Sequence, residues 1–504
     1  MIIDKTLFMD IIYSVFQLKV FVAIFIGTIG GIIVGAIPGL TAVMAISLLL
    51  PFSFYLEPIV GISFLIAVYK SAIMGGSIPA ILISTPGTGA AAATVLDGFP
   101  LTQQGKGAKA IQMAIVASVF GETFSSILVF ILFAFGMTEI ALFFGSPEMG
   151  ALILASFSLI IVISQSSLIK GFISACLGIV LALIGQDPVT AAQRFTFGIL
   201  NLRDGLNIVP VMIGIFAIAE VMVQIERMHI YKKMSIVDNA LVTKKGNSLN
   251  CKEIKNSFPT LIRSSAIGFI IGVIPGMGQS IAAFLSYAVA QKLSRNPNNF
   301  GKGSLEGIAA PEAGNNAVNA AALVPLLTFG IPGDSTTAVL LGAFIAHGLT
   351  PGIRLFQEHS VIIFGILFAM FITNVVMGVI ALLGTRFFAK IAISPIKYLM
   401  PIVLLLCLIG SYSASNSMFD VGLMCVMGVL GYILKKFKIA LSPLLITFIL
   451  TRRFEMSLAQ SLQLSGGSFL IFFKRPISLV LILTSVIIII LSIYDNFIKN
   501  KRSD

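Results

Sequence analysis

Long apolar runs recur along the whole of this 504-residue sequence and leave few folds open. They fall at 20–37, 40–52, 59–83, 108–135, 139–163, 168–184 and 206–225, then at 264–290, 318–331, 336–349, 360–384, 399–413, 418–434, 439–451 and 477–493. An α-helix needs about 20 apolar residues to cross the hydrocarbon core of a bilayer, and many of these runs reach or approach that length. A transmembrane β-barrel would show short alternating strands instead. Apolar types make up 57% of the chain and charged types 11%, against roughly 25% charged in a soluble domain. A water-soluble enzyme, a disordered chain and a disulfide scaffold are thereby set aside. The sequence predicts an all-α, polytopic transmembrane protein. Several runs are too short to span alone, so half-helices or re-entrant segments are expected, with about ten to twelve crossings.

Charge fits that reading. Lys and Arg number 33 against 21 Asp and Glu, a formal balance of +12. In a soluble domain this would suggest nucleic acid. Here cationic cytoplasmic loops account for it, and membrane lipid, not nucleic acid, is the expected surrounding. The longest polar stretch, Glu226–Arg263, carries Arg227, Lys232, Lys233, Lys244, Lys245, Lys252, Lys255 and Arg263 against Glu226, Asp238 and Glu253. The positive-inside rule places it in the cytoplasm. It divides the chain into a first membrane half (1–225), a basic loop (226–263) and a second membrane half (264–504). Asp4 and Asp10 sit where a cleavable signal peptide would be cationic, so none is expected.

Cys176, Cys251, Cys407 and Cys425 form no CxxC pair, and His229, His347 and His359 form no HExxH. Neither a metal nor an organic cofactor is expected. Phe300-Gly301-Lys302-Gly303-Ser304 lacks the lead-in of a phosphate-binding loop, which speaks against a built-in ATPase.

The two halves share motifs. Residues 30–39 read GGIIVGAIPG and residues 268–276 read GFIIGVIPG. Setting Pro38 on Pro275 places Gly31 on Gly268, Gly35 on Gly272 and Gly39 on Gly276. Further on, PAILISTPG sets Pro79 and Pro86-Gly87 against Pro325 and Pro332-Gly333 of PLLTFGIPG. Proline removes an amide donor and clashes with the preceding turn, and the following glycine permits unusual backbone angles. Each Pro-Gly therefore predicts a helix break at membrane depth. Exposed backbone there must line a cavity or be buried in protein, because lipid cannot satisfy it. Paired breaks in two halves point to the binding site of a secondary transporter. Simple proline kinks with packing glycines are the alternative for any single motif.

Ser84-Thr85-Pro86-Gly87-Thr88-Gly89 and Gly330-Ile331-Pro332-Gly333-Asp334-Ser335-Thr336-Thr337 add hydroxyls, free amides and one carboxylate. Helix N-termini at such breaks attract anions, and C-terminal carbonyls suit a cation; local capping would use the same Ser and Thr. Pro311-Glu312-Ala313-Gly314-Asn315-Asn316 brings a carboxylate and two amides into an apolar segment, where Glu312 is a cation ligand, a proton carrier or an interfacial helix charge. Asp97, Lys70 and Glu122 are open in the same way; Lys70 either pairs with an anionic substrate or snorkels.

Gly-Ala-Ile-Pro-Gly at 35–39, Thr-Pro-Gly at 85–87 with Thr94 and Asp97-Gly98, Pro-Glu-Ala-Gly-Asn-Asn-Ala at 311–317 and Gly-Ile-Pro-Gly at 330–333 resemble the large membrane subunit of the tripartite tricarboxylate transporters. So do Arg194-Phe195-Thr196-Phe197-Gly198, His347-Gly348-Leu349-Thr350-Pro351-Gly352 and Arg453-Phe454-Glu455. The resemblance runs from about residue 20 to residue 480. It implies a bacterial inner-membrane secondary transporter that works with a small membrane subunit and a periplasmic solute-binding protein. Its substrate would be an organic carboxylate such as citrate, driven by a Na⁺ or H⁺ gradient. Gly314 stands where the family more often has Ala, a difference expected to touch packing only.

The combined reading is alternating access between two related halves, expected as inverted repeats. Substrate contacts are expected from Gly39, Thr41, Thr85, Gly87, Thr88, Gly276, Gln279, Asn315, Asn316, Gly333, Ser335 and Thr336. Glu312 and Asp334 are the expected ion-coupling groups. A channel or a scaffold subunit of a membrane complex is the alternative.

Overall fold

The computed structural model describes residues 5–136, 139, 142–163, 167–231, 248–393 and 399–503. Lys232, Lys233, Asp238, Lys244 and Lys245 of the basic loop, and residues 140–141 of the 139–163 run, lie outside the described residues. Among those described, helices dominate, and the sheet is one antiparallel pair, β1 (Gly185–Gln186) and β2 (Gln193–Arg194). Seven helical segments are long and apolar enough to cross a membrane, and five shorter apolar helices accompany them. The chain is a polytopic all-α membrane protein.

Two close helix pairs organise the site. α1 (Leu18–Ala36) lies against α3 (Pro58–Gly75), with α2 (Ala42–Ser53) between them in sequence. Gly27, Gly31 and Gly35 fall one turn apart on one face of α1. A Cβ on them would come within 2.5 Å of the Phe64 carbonyl, 2.5 Å of the Val68 carbonyl and 2.3 Å of the Ala72 carbonyl. Two backbones approach this closely in a membrane only where small residues repeat every four positions. α3 and the short helix that follows it, α4 (Ser77–Ile83), form a stretch buried from Ile59 to Leu82.

The same approach recurs further along. Across α8 (Cys251–Val273) and α10 (Leu305–Ala321), a Cβ on Gly268 would come within 2.0 Å of the Gly314 carbonyl, and one on Gly272 within 2.9 Å of the Val318 carbonyl. Gly314 is crowded in turn: its own Cβ would stand 2.2 Å from Ser286 Oγ of α9 (Gly278–Leu293). An alanine there would have to move Ser286.

α5 (Ala91–Gln103) and α6 (Gly107–Ala134) complete the first group. α11 (Leu323–Phe329) and α12 (Ser335–Ala346) complete the second. α7 (Ala219–Tyr231), α13 (Ser360–Leu383), α14 (Met418–Lys436) and α15 (Leu441–Leu464) pack around them.

Buried inside is an ion pair, Lys70 Nζ to Glu122 Oε2 at 3.0 Å, joining α3 to α6. Lys70 also donates to Ser126 Oγ at 3.3 Å and to the Met370 carbonyl at 3.4 Å. Neither side chain reaches solvent, so Lys70 does not snorkel. Removing one partner strands the other charge and typically costs about 3–5 kcal/mol, whereas replacing both with apolar groups is close to neutral. Lys70→Met is therefore expected to lower the melting temperature in detergent markedly, and Lys70→Met with Glu122→Leu to recover most of the loss. Equal destabilisation by the single and double variants would show that the pair is not coupled this way.

Candidate substrate-binding site

All four Pro-Gly motifs interrupt helices. α1 ends at Ala36, Ile37 N–H donates to the Val34 carbonyl at 3.1 Å, and Gly39 turns the chain at φ +83°. Thr41 then caps α2 by accepting from Met44 N–H at 3.4 Å. At the matched place α8 ends at Val273, Ile274 N–H donates to the Ile271 carbonyl at 3.1 Å, and Gly276 has φ +88°.

The second motif repeats just as closely. α3 gives way at Gly76 to α4, which closes at Ser84 (φ +55°). α10 gives way at Ala322 to α11, which closes at Gly330 (φ +66°). Thr85 N–H returns to the Pro79 carbonyl at 3.4 Å, and Ile331 N–H to the Pro325 carbonyl at 3.2 Å. Pro79 and Pro325 sit in the first turns of their short helices, where no intrahelical donor is missed. Thr88 Oγ1 then accepts from Ala91 N–H at 3.2 Å, and Asp334 Oδ1 from Thr337 N–H at 2.7 Å, each opening the next helix.

The breaks pack on one another. Gly276 N–H donates to the Gly333 carbonyl at 2.7 Å. Gly87 N–H donates to the Gly76 carbonyl at 3.2 Å, and a Cβ on Gly87 would lie 2.6 Å from the Gly35 carbonyl. The two groups meet where a Cβ on Gly89 would lie 3.0 Å from Ser280 Oγ.

Between them lies a cavity of about 330 Å³, a size suited to a small ligand. Five helix beginnings form most of its wall: Thr41–Met44 at α2, Thr88–Ala90 at α5, Gln279 and Ser280 at α9, Ser335 and Thr336 at α12, and Leu441 and Ser442 at α15, with apolar Ile73, Phe216 and Ile439 between them. Unpaired N–H groups and the positive end of the helix dipole collect at such places, and both favour an anion. Lys435, at the end of α14, adds a cation to the lining. It is ion-paired with Glu220, which accepts from Gln224 Nε2 at 2.7 Å. Gln224 in turn fills the space beside Gly39, where a Cβ would stand 1.9 Å from its Nε2.

A polar layer backs the cavity. Gln279 Nε2 donates to Asp334 Oδ2 (2.6 Å), Tyr69 Oη (2.9 Å) and Asn319 Oδ1 (3.2 Å). Tyr69 Oη also reaches Asp334 Oδ2 at 3.2 Å, and Asn319 Nδ2 donates to Glu122 Oε1 at 2.5 Å. A hydrogen-bonded line thus runs from the cavity wall to the Lys70–Glu122 pair. Separately, Glu312, with no exposed surface, accepts from Thr94 Oγ1 at 2.5 Å, Ser118 Oγ at 3.1 Å and Asn316 Nδ2 at 3.4 Å. All three partners are neutral. Asn316 Oδ1 and both amide atoms of the adjacent Asn315 have no partner although buried.

Of the residues expected at the site, Thr41, Thr88, Gln279, Ser335 and Thr336 line the cavity. Asp334 stands directly behind it. Gly39, Gly87, Gly276 and Gly333 shape the breaks and do not line the cavity, and Thr85 carries a buried, unpartnered Oγ1. Glu312, Asn315 and Asn316 sit within α10, outside the cavity wall. Asp97 holds the loop before α10, accepting from Gly303 N–H at 2.9 Å, Ser304 N–H at 2.7 Å and Tyr287 Oη at 2.8 Å. Tyr69, Ser280 and Ser442 carry no site reading from sequence, and Lys435, with Lys436 and Lys438, reads there only as a cytoplasmic helix end. Only Tyr69, a polar ring within an apolar run, carried a visible local signal.

The family model for the tripartite tricarboxylate transporter TctA family matches residues 21–446. The chain belongs to the TctA family. It is a membrane subunit of a tripartite tricarboxylate transporter. Among similar proteins, an uncharacterized 52.8 kDa protein in the TAR-I ttuC′ 3′ region of Agrobacterium vitis is 32% identical over 480 residues, covering 95% of this chain and 94% of that one. An uncharacterized protein in the TAR-II ttuC′ 3′ region of the same organism is 36% identical over 235 residues, 47% of this chain and 97% of that one. No solved structure matches. The TctA-family match covers all four breaks and the cavity wall from Thr41 to Ser442.

Proposed function

We propose that the chain is the permease of a binding-protein-dependent secondary transporter of the bacterial inner membrane. It imports a tricarboxylate or another organic carboxylate by symport with Na⁺ or H⁺, through alternating access. The carrying observation is the convergence of five helix N-termini and Lys435 on one cavity. Carboxylate oxygens would accept from those amides and from Thr41, Thr88, Gln279, Ser280, Ser335, Thr336 and Ser442. Asp334 behind the wall and Glu312 deeper in α10 serve the coupling cation. A site that places an anion beside the buried Asp334 carboxylate is best filled when a positive charge travels too.

The matched breaks and matched glycine contacts support two related halves, 1–225 and 264–504; we read them as inverted repeats joined by the basic loop 226–263 on the cytoplasmic side. A small membrane subunit and a periplasmic solute-binding protein complete the assembly, and the binding protein delivers the substrate.

The test is uptake of radiolabelled citrate and other di- and tricarboxylates into vesicles containing the membrane subunits, with and without a candidate binding protein. Accumulation should require both that protein and an imposed Na⁺ or proton gradient. Flux with neither would instead favour a channel. Lys435→Gln, which leaves Glu220 without its cation and removes positive charge from the wall, is expected to raise the uptake KM about tenfold, about 1.4 kcal/mol. An unchanged KM would remove Lys435 from the site.

A further inference from the structure

We propose that the permease holds a second anion site on the far side of the Gly330–Gly333 break, and that Arg453 latches this break shut between the two sites. The proposal rests on reading the first cavity as a carboxylate site. A second cavity, of about 450 Å³, is lined by Thr328 and Phe329 at the last turn of α11. The first is lined by Ser335 and Thr336 at the first turn of α12, so the break lies between the two.

α15 sets the spacing. Ser442 at its start lines the first cavity and Arg453 lines the second. Those residues are three turns apart, about 16 Å along a helix. Arg453 Nη1 donates to the Phe329 carbonyl at 3.1 Å and Nη2 to the Pro351 carbonyl at 2.8 Å. One planar guanidinium thus bridges the end of α11 to the His347–Gly352 turn, and it fills the space beside Gly330, where a Cβ would lie 1.5 Å from Nη1. Glu455, two residues on and projecting from nearly the opposite side of α15, is held by Arg194 at 2.7 Å, and Arg194 also pairs with Asp187. Three sequence motifs that the first cavity does not use are therefore tied together through α15: 347–352 by Arg453 at the latch and 194–198 by Glu455.

The second cavity is cationic: Arg354 and Arg453 line it, against one carboxylate, Glu358, with His359 in the same lining. Its ligand class is the same organic carboxylate, held before it passes the break. The first cavity lies toward the basic loop, because Lys435 in its wall adjoins Lys436, which pairs with Glu226 at the loop's beginning. The second therefore belongs to the opposite face of the membrane, where substrate arrives.

The test uses the full-length chain with its four cysteines replaced by serine and one cysteine placed at Thr350, in the second cavity, or at Ser442. Vesicles of both orientations are treated with a membrane-impermeant maleimide. Thr350→Cys should react from one face and Ser442→Cys from the other. Adding Arg453→Lys, which keeps the charge but cannot bridge two carbonyls with a planar fork, should make Ser442→Cys react from the Thr350 face at least fivefold faster. Labelling of both single cysteines from one face only overturns the proposal, and unchanged sidedness with Arg453→Lys overturns the latch.

For the anion site the probes are an anionic sulfonatoethyl and a cationic trimethylammonium thiosulfonate on Thr350→Cys, normalised to their rates with a free thiol. The anionic reagent should be favoured at least fivefold, and Arg354→Gln should erase most of that preference. A preference for the cationic reagent overturns the site. Were the first cavity not a carboxylate site, Lys435→Gln would leave uptake unchanged while these labelling results stood, so the two failures read separately.

Discussion

Gly87→Leu and Gly333→Leu are each expected to abolish uptake, to below about 1% of the unsubstituted chain, while the protein still inserts and purifies as a single species. At Gly87 a Cβ alone would stand 2.6 Å from the Gly35 carbonyl and 2.9 Å from the Gly76 Cα, both backbone atoms that cannot rotate away. At Gly333 it would meet Ala322 Cβ at 2.9 Å and the Gly272 carbonyl at 3.3 Å. A leucine must therefore push the unwound segment off the preceding Pro-Gly break and displace the helix beginning that follows it. Those beginnings carry Thr88 and Ser335–Thr336 into the cavity wall. Insertion depends on the summed hydropathy of the spans, which one leucine does not lower. Measured uptake, with size-exclusion profiles of the purified variants, checks this. Ordinary transport by both variants would refute the assignment of the breaks to the site.

Glu312→Gln is expected to uncouple the transporter. The glutamine keeps the shape; its one oxygen accepts from Thr94 or Ser118 and its amide nitrogen donates to the other hydroxyl, so the fold should survive. It removes the charge from a group with no exposed surface and only neutral partners. An ionised carboxylate in such surroundings is costly until a cation or proton joins it. Its neighbour Asn316 presents one amide nitrogen to three acceptors and leaves its oxygen unpartnered, an arrangement that a bound cation would resolve by turning the amide. Gradient-driven accumulation should fall about 100-fold, equivalent to about 2.7 kcal/mol, while exchange of substrate across the membrane without a gradient persists. Accumulation at the original level in both Na⁺ and proton gradients would take Glu312 out of coupling.

What the sequence made legible was whatever proline and glycine chemistry decides locally. Pro38-Gly39, Pro86-Gly87, Pro275-Gly276 and Pro332-Gly333 break their helices because a missing amide and a permissive residue act within one turn. Thr41, Thr88, Gln279, Ser335 and Thr336 were found because they sit within a few residues of those breaks. Lys435 and Ser442 were not, since a lysine closing an apolar run looks the same whether it meets water or a cavity wall. Lys435–Lys438 accordingly reads as a loop end from sequence. Lys70 and Glu122 were each ambiguous alone; only the packing of α3 on α6 makes them a pair. The number of crossings was hard to read for a related reason. The 318–331 run looks continuous, yet Ala322 and Gly330 cut it into the end of α10 and the seven residues of α11.

The glycine seams carry a mechanical consequence. Where carbonyls rest directly on a neighbouring backbone, as between α1 and α3 and again between α8 and α10, no side chains intervene that could repack during sliding. Each pair must travel as one stiff beam. Motion that exposes the substrate to alternate compartments is then confined to the joints between beams. The one-residue interruptions at Gly76 and Ala322 are the natural pivots, and a crosslink across either seam should be harmless where one between the seams would freeze the cycle.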